Sequence, residues 1–447
     1  MIKNYLLKNI FLPIGDWISR QEVMKQYWFF CKAQWWDPEK LIKYQNDKLR
    51  NTIILAYNET AFYRKIYDEH GVKIDQIKNA QDLRHLPIVS KEMLKKSYPE
   101  ACSRKLPGPW KEYFTSGSSG QPFAVRVDNY TMSIARALML LRANFSGWQI
   151  GDKYLQTGMT LKRGWLKYIK DKVLGVKYVS AFNLTDKILD HYLDIIETNK
   201  IDYVMGYASS LYCLAERAHA TGFNRNLKGI VSWGDNLFDH YRKLIVSQFN
   251  CRVTDSYGCG EGIQVGAQCG EGEGNGHYHI FSPHVIVEFV ENGHPVPPGN
   301  LGDILLTRLN PGIMPLIRYK IGDIGRGSVI EKCPCGRGLP IMKSIEGRDS
   351  DIIITPNGNR LIVHFFTGIF EYETTIDKFQ IIQNKLEEIT VRVVKSEGFN
   401  EAKWKKIKEE IWKKGDQDLK IELELVDDIP FERSNKRRFV ISRLMAS

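Results

Sequence analysis

The stretch Tyr113-Phe114-Thr115-Ser116-Gly117-Ser118-Ser119-Gly120-Gln121-Pro122 sets four Ser/Thr hydroxyls and two glycines between two strand-like runs. Glycine permits backbone turns in which successive N–H groups converge on an anion, and small hydroxyls add donors without bulk. Thr115, Ser116, Gly117, Ser118, Ser119 and Gly120 therefore read as a phosphate cradle of the kind a nucleoside triphosphate needs. It is not a Walker loop, because no Gly-Lys-Ser/Thr follows the glycines and Phe123-Ala124-Val125-Arg126-Val127 alternates as a strand. A plain Ser/Gly hairpin would use the same residues, so the rest of the chain decides.

The chain has 447 residues, 43% of them hydrophobic, which is enough for one large domain and a smaller one. No apolar run reaches the length of a membrane span, and Ile10-Phe11-Leu12-Pro13-Ile14 is too short and Pro-broken for a signal peptide; a cytoplasmic protein is expected. The eight cysteines do not form the dense framework of a small secreted domain. The net charge of +11 is spread among almost as many acids, so no nucleic-acid tract is present. The excess suits anionic small substrates or a weak attraction to an acidic membrane surface. The aromatic group Tyr27-Trp28-Phe29-Phe30, with Trp35 and Trp36, reads as packing against the body of the protein.

Residues 1–109 read as a mostly helical lead-in, with Pro38 opening one helix. From there helical and strand patterns alternate: helices from about Tyr130 to Phe145 and Asp186 to Thr198, a strand Tyr203 to Tyr207, a helix Ser209 to Ala220. A strand Lys228 to Trp233 ends in Gly234-Asp235, followed by a helix Asp239 to Phe249 and a strand Arg252 to Asp255. Such alternation predicts α/β layers. After about residue 348 the composition turns rich in Lys and Glu. There the pattern predicts an α+β segment: strands Lys378 to Gln383, Glu388 to Val394 and Leu419 to Leu425, and a helix Asn400 to Lys413 with Trp404, Ile407 and Ile411 on its core face.

Three further stretches carry chemistry. Asp255-Ser256-Tyr257-Gly258-Cys259-Gly260-Glu261 places an aromatic ring and a carboxylate at the end of a buried strand, suited to stacking on a base and holding a divalent metal. Pro315-Leu316-Ile317-Arg318-Tyr319-Lys320-Ile321-Gly322-Asp323 closes an apolar run on a carboxylate that can accept both hydroxyls of a ribose. Ile345-Glu346-Gly347-Arg348-Asp349-Ser350-Asp351 is polar and marks the domain boundary. Separately, Cys333-Pro334-Cys335-Gly336 can clamp zinc with Cys269 and one of His277 and His279. Cys259 has no evident base partner, which argues against a thiol nucleophile.

Taken in order, TSGSSGQP, DSYGCGE, RYKIGD, EGRDSD and the late Lys436 of Arg433-Ser434-Asn435-Lys436-Arg437 resemble the adenylate-forming superfamily of acyl-CoA ligases and adenylation domains. Gly206-Tyr207-Ala208-Ser209-Ser210-Leu211 and CPCGRG are most like its phenylacetate-CoA ligase branch, which includes relatives in capsular polysaccharide biosynthesis. The resemblance implies an α/β adenylation domain over 1–348, of layered sheets and helices, and a small C-terminal α+β lid over 349–447 that carries a mobile lysine. It implies ATP-dependent activation of a carboxylic acid with Mg²⁺, then transfer to CoA. Alternatives are an amine or hydroxyl acceptor, or a non-catalytic nucleotide sensor.

Residue by residue, the resemblance implies that the Thr115–Gly120 cradle grips the outer phosphates and Tyr257 lies against adenine. Glu261 ligates Mg²⁺, Asp323 takes the ribose hydroxyls and Arg348 meets ribose or phosphate. Gly234, Asp235, Ser256 and Gly258 border the same nucleotide. Lys436 bridges the acyl carboxylate and the α-phosphate. The branch also includes members with a structural zinc held by such a set, Cys269, Cys333 and Cys335 with a histidine, and His279, whose His279-Ile280 pair is followed by a strand, fits that place better than His277. Two positions depart from the pattern: Gln121 stands where many members have Lys, and Asn435 where Gly commonly precedes the lysine. For the acid, Tyr154, Trp233 and the neighbours of Gly206 are the candidates.

Overall fold

The computed structural model describes residues 2–106, 108–115, 123–159, 164–181, 184–271, 277–346, 352–370, 373, 375–429 and 439–444. The fold is mixed α/β, with a large sheet-and-helix part and a smaller C-terminal domain. The described residues divide into two compact units. One draws on Met1–Phe114, Phe123–Phe145 and Ser256–Glu346, the other on Thr115–Pro122, Ser146–Asp255 and Gly347–Ser447.

In the first unit, Asp37 accepts from the Lys40 amide at 2.8 Å and Pro38 occupies the first turn, which starts helix Pro38–Glu59 where the sequence predicts it. Thr60 caps the next helix, Ala61–Glu69, whose Tyr63 and Tyr67 are fully buried. Tyr27 and Phe30 are buried as the packing reading expects, although Trp28 and Trp35 stay exposed. Strands Trp110–Thr115 and Phe123–Asp128 pair as a two-stranded sheet, the strand-loop-strand form read from the sequence; its loop, 116–122, lies outside the described residues. Antiparallel strands Val285–Glu291, Leu301–Arg308, Tyr319–Gly327, Ile341–Glu346, Tyr278–Ile280 and Gln264–Gln268 lie side by side in that order.

In the second unit, parallel strands Val176–Ser180, Tyr154–Gly158, Tyr203–Tyr207 and Gly229–Trp233 are neighbours in that order. They alternate with helices Asp186–Thr198, Ala208–Thr221 and Asp239–Phe249 at the positions the periodicity predicts. Strands Tyr203–Tyr207 and Gly229–Trp233 are buried along nearly their whole length, which is why their sequences run apolar instead of alternating.

The C-terminal residues form a four-stranded sheet ordered Lys420–Leu425, Glu388–Lys395, Ile376–Lys385, Val440–Ser442, with helix Glu401–Lys414 burying Trp404, Ile407 and Ile411. Two helices escaped the sequence reading. Val363–Phe370 is apolar almost all round, so it shows no amphipathic face, and Phe365 and Phe366 are fully buried. Trp165–Leu174 carries its apolar residues outward.

Candidate active site and metal centre

The DSYGCGE and RYKIGD stretches meet through two reciprocal hydrogen bonds within the first unit. The Tyr257 hydroxyl donates to Asp323 Oδ2 at 2.8 Å, and the Tyr319 hydroxyl donates to Glu261 Oε1 at 2.8 Å. Each stretch thus supplies the phenol that orients the other's carboxylate. Burial, and then the Glu261 charge, push the Tyr319 phenol well above its ordinary value, so it remains a donor at working pH. Glu261 is 5% exposed, yet a carboxylate has about four acceptor sites, so one phenol leaves it capacity for further donors or a cation. The Cys259 thiol is driven up by burial and by Glu261, which leaves it inert as a nucleophile.

What holds RYKIGD in place was not legible in the sequence. The Tyr63 hydroxyl donates to the Pro315 carbonyl at 3.2 Å and accepts from the Ile317 amide at 3.0 Å. Arg318 sits at φ 46°, a costly angle for a residue with a Cβ. Its buried guanidinium is fixed by Glu288 at 3.1 Å and by the Leu86 carbonyl at 2.6 Å. Beneath the other stretch, Arg142 of helix Asn129–Phe145 donates to Ser256 Oγ at 3.1 Å and Gln264 Oε1 at 3.4 Å. The one available signal for Arg142 was an arginine set inside the apolar run Leu138–Phe145.

In the second unit, the Asp235 carboxylate accepts from the Ala208 amide at 2.7 Å and the Ser209 amide at 3.1 Å, and also from the Ser209 hydroxyl. It thus satisfies the first amides of helix Ala208–Thr221, while Gly234 beside it takes φ 88°. Asp235→Ala is expected to cost about 1 kcal/mol of stability, as loss of a helix cap does, read as a lowered thermal midpoint. Gly206 faces Thr157, whose Oγ1 would lie 1.9 Å from an added Cβ, so only glycine permits this approach. Tyr207 and Trp233, at the carboxyl ends of adjacent strands, are 6.5 Å apart edge to face. Tyr154 pairs with Tyr203 at the opposite end of those strands, about 13 Å away at 3.3 Å per residue, so it does not join them.

Cys269, His279, Cys333 and Cys335 place one ligand atom each within 4.8 Å of one another. Cys269 Sγ is 3.5 Å from Cys333 Sγ, and Cys335 Sγ is 3.4 Å from His279 Nε2. Ordinary Zn–S and Zn–N lengths give tetrahedral edges of about 3.5–3.8 Å. Although burial opposes it, hydrogen bonds from His279 and the Arg337 amide pull the Cys335 thiol down to about 5. His277 is not in this cluster. Gly338 accounts for the CPCGRG spelling: an added Cβ would meet the Trp36 carbonyl oxygen at 1.8 Å.

Residues 353–443 match the family model of the CapK C-terminal domain. The chain is 26% identical over 384 residues to phenylacetate-coenzyme A ligase of Thermus thermophilus, covering 81% of this chain and 83% of that protein. It is 22% identical over 464 residues to protein CapK of Staphylococcus aureus, covering 98% and 97%. The structure of 2-hydroxyisobutyryl-CoA ligase with 2-HIB-AMP and CoA in its thioesterification state shares the fold, with TM-score 0.61 and 19% identity over 93% of this chain and 92% of that one. By these matches the chain is similar to the phenylacetate-CoA ligase-like branch of the adenylate-forming superfamily.

Of the residues that the resemblance singles out, the structure joins Tyr257 to Asp323 directly and sets Ser256 and Glu261 on the same stretch. Ser116, Gly117, Ser118, Ser119, Gly120, Gln121, Arg348, Asn435 and Lys436 lie outside the described residues, as does the side chain of Thr115. The family's signature thus rests here on its two central stretches.

Proposed function

We propose that the protein activates a carboxylic acid with ATP to an acyl-adenylate, releasing pyrophosphate, and then passes the acyl group to CoA. The observation that carries this reading is the reciprocal pair Tyr257–Asp323 and Tyr319–Glu261. Asp323 then binds the ribose hydroxyls with the acceptor capacity that Tyr257 leaves, and the Tyr257 ring lies against the base. Glu261 fits the single carboxylate that Mg²⁺ takes beside nucleotide phosphates, where the ion neutralises triphosphate charge. The Thr115–Gly120 loop grips those phosphates. Lys436 stabilises the charge that develops on the α-phosphoryl group as the acid attacks. Residues 349–447 act as the lid, a division supported by the separate family model over 353–443.

The reading is tested by ATP–pyrophosphate exchange with a panel of carboxylic acids, aromatic acids included. Exchange with no acid in the panel, by a protein that binds ATP, would leave only nucleotide sensing. Tyr319→Phe is expected to lower exchange about ten-fold or more while the fold persists, because Glu261 loses the donor that aims it, and Glu261→Ala to lower it further. Full exchange in a folded Glu261→Ala variant removes the metal role.

A second acceptor reading is favoured by the match to CapK across nearly the whole chain. In it the adenylated acyl group goes to an amine or hydroxyl, for example on a cell-surface polysaccharide precursor. Release of AMP that depends on CoA, measured against amine and hydroxyl acceptors, separates the two. The Cys269, His279, Cys333, Cys335 cluster fits a structural zinc, with three thiolates and one imidazole at tetrahedral spacing.

A further inference from the structure

Two helical segments turn their apolar side chains to solvent. On helix Trp165–Leu174, Trp165, Tyr168, Ile169 and Val173 are 71%, 65%, 49% and 47% exposed. Their spacing of three, four and eight residues from Trp165 puts them on one face. At the amino terminus, helix Leu12–Ser19 buries none of its residues, and Phe11, Ile14, Trp17 and Ile18 are 57%, 50%, 81% and 71% exposed. Isolated exposed hydrophobics are ordinary, but a full face of Trp, Tyr and Ile on an otherwise polar helix calls for a partner.

The charges around the face identify that partner. Helix Trp165–Leu174 carries Lys167, Lys170 and Lys172 against the single acid Asp171. Lys8 and Arg20 border the N-terminal face, where Asp16 is turned to the Met24 amide at 2.7 Å. A second copy of this chain fits poorly, because an isologous contact sets each lysine-rich face against itself. An anionic bilayer matches both features at once: apolar side chains enter the acyl boundary, Trp and Tyr sit at the headgroup level, and lysines meet lipid phosphates. Spanning is not available, since no described helix is long and apolar enough to cross a membrane.

We propose that helix Trp165–Leu174 docks the protein reversibly on an anionic phospholipid surface. The inference does not depend on the adenylation chemistry. A ten-residue helix offers little apolar area, so attachment is weak and relies on the lysines; salt therefore releases it.

The test is co-sedimentation of the full chain with vesicles of phosphatidylglycerol and phosphatidylcholine in equal parts, against vesicles of phosphatidylcholine alone. Binding is expected to the anionic vesicles only, and to fall as sodium chloride is raised. Trp165→Ser/Tyr168→Ser/Ile169→Ser should weaken it about ten-fold or more, as should Lys167→Glu/Lys170→Glu, with the thermal midpoint of each variant unchanged. The charge-reversed pair keeps the test decisive should the triple variant fold poorly. No binding to anionic vesicles, or equal binding by wild type and the charge-reversed variant, overturns the proposal. A concentration-dependent dimer that dissociates on removing Trp165 and Tyr168 would also overturn it, in favour of a second copy.

Discussion

Lys436→Ala is expected to depress acyl-adenylate formation by about 10²–10³ or more, the usual cost of removing one preorganised contact to developing charge. A carboxylate attacks an anionic phosphoryl group poorly, because both partners are negative until cations offset the charge. In the proposed reaction Glu261, through Mg²⁺, would offset charge on the triphosphate side, and Lys436 would do so at the α-phosphate. In that role the lysine would interact more strongly with the transition state than with bound ATP, so its loss is expected to fall on turnover and to leave ATP affinity nearly intact. A preformed acyl-adenylate supplied to the variant should be consumed by the acceptor at close to the wild-type rate, since in the proposed domain alternation that step, in which AMP leaves with the electron pair of the broken acyl–phosphate bond, uses the rotated lid and not this lysine. Both half-reactions are measured on the same preparation. Equal loss in the two, or loss in neither, contradicts a lysine that serves adenylation alone.

Much of the fold was legible because its local signals agree with its burial. Helix Asp186–Thr198 begins at the Thr185 cap and closes at Asn199, and helix Asp239–Phe249 ends where Asn250 turns left-handed, both as the sequence pattern predicts. The antiparallel strands between Gln264 and Arg308 were not legible. They pack on both faces in places, so the period-two alternation is lost in runs such as Ile304-Leu305-Leu306. Helix Val363–Phe370 was hidden for the same reason. In the site, Asp323 stood out as an acid following glycine at the close of an apolar run, and Glu261 through the order of the motifs that carry the resemblance. Tyr319, Tyr63 and Arg142, which hold those groups, did not, because a phenol or guanidinium that bonds across long sequence separation leaves no local pattern. The Asp235 bonds to Ala208 and Ser209 were unreadable on the same ground, since they join positions 26 and 27 residues apart.

Cys333→Ser/Cys335→Ser is expected to abolish zinc binding and to lower the thermal midpoint by several degrees. Protein purified without chelator should carry one equivalent of zinc by elemental analysis. The four donors come from three places: Cys269 follows strand Gln264–Gln268, His279 lies on strand Tyr278–Ile280, and Cys333 and Cys335 lie in a loop. That loop rests on the amino-terminal helices: the Gly338 amide donates to the Gln34 carbonyl at 2.9 Å and Arg337 to Gln34 Oε1 at 2.8 Å. The Arg337 guanidinium also lies 4.1 Å from the centre of the Phe145 ring. Zinc bound there would tie a strand end to a loop that itself anchors helix Val23–Ala33. In small zinc domains the ion contributes about 10–16 kcal/mol of apparent binding energy, and folding depends on it. Here the large core of the same unit folds around Tyr63, Leu306 and Ile317 regardless, so only the local share is lost, with each 1 kcal/mol worth about 2–4 °C. Cys213→Ser, at a buried thiol outside the cluster, should keep its zinc. Chelator-free protein without zinc, or a Cys333/Cys335 double variant that retains it, removes the metal centre.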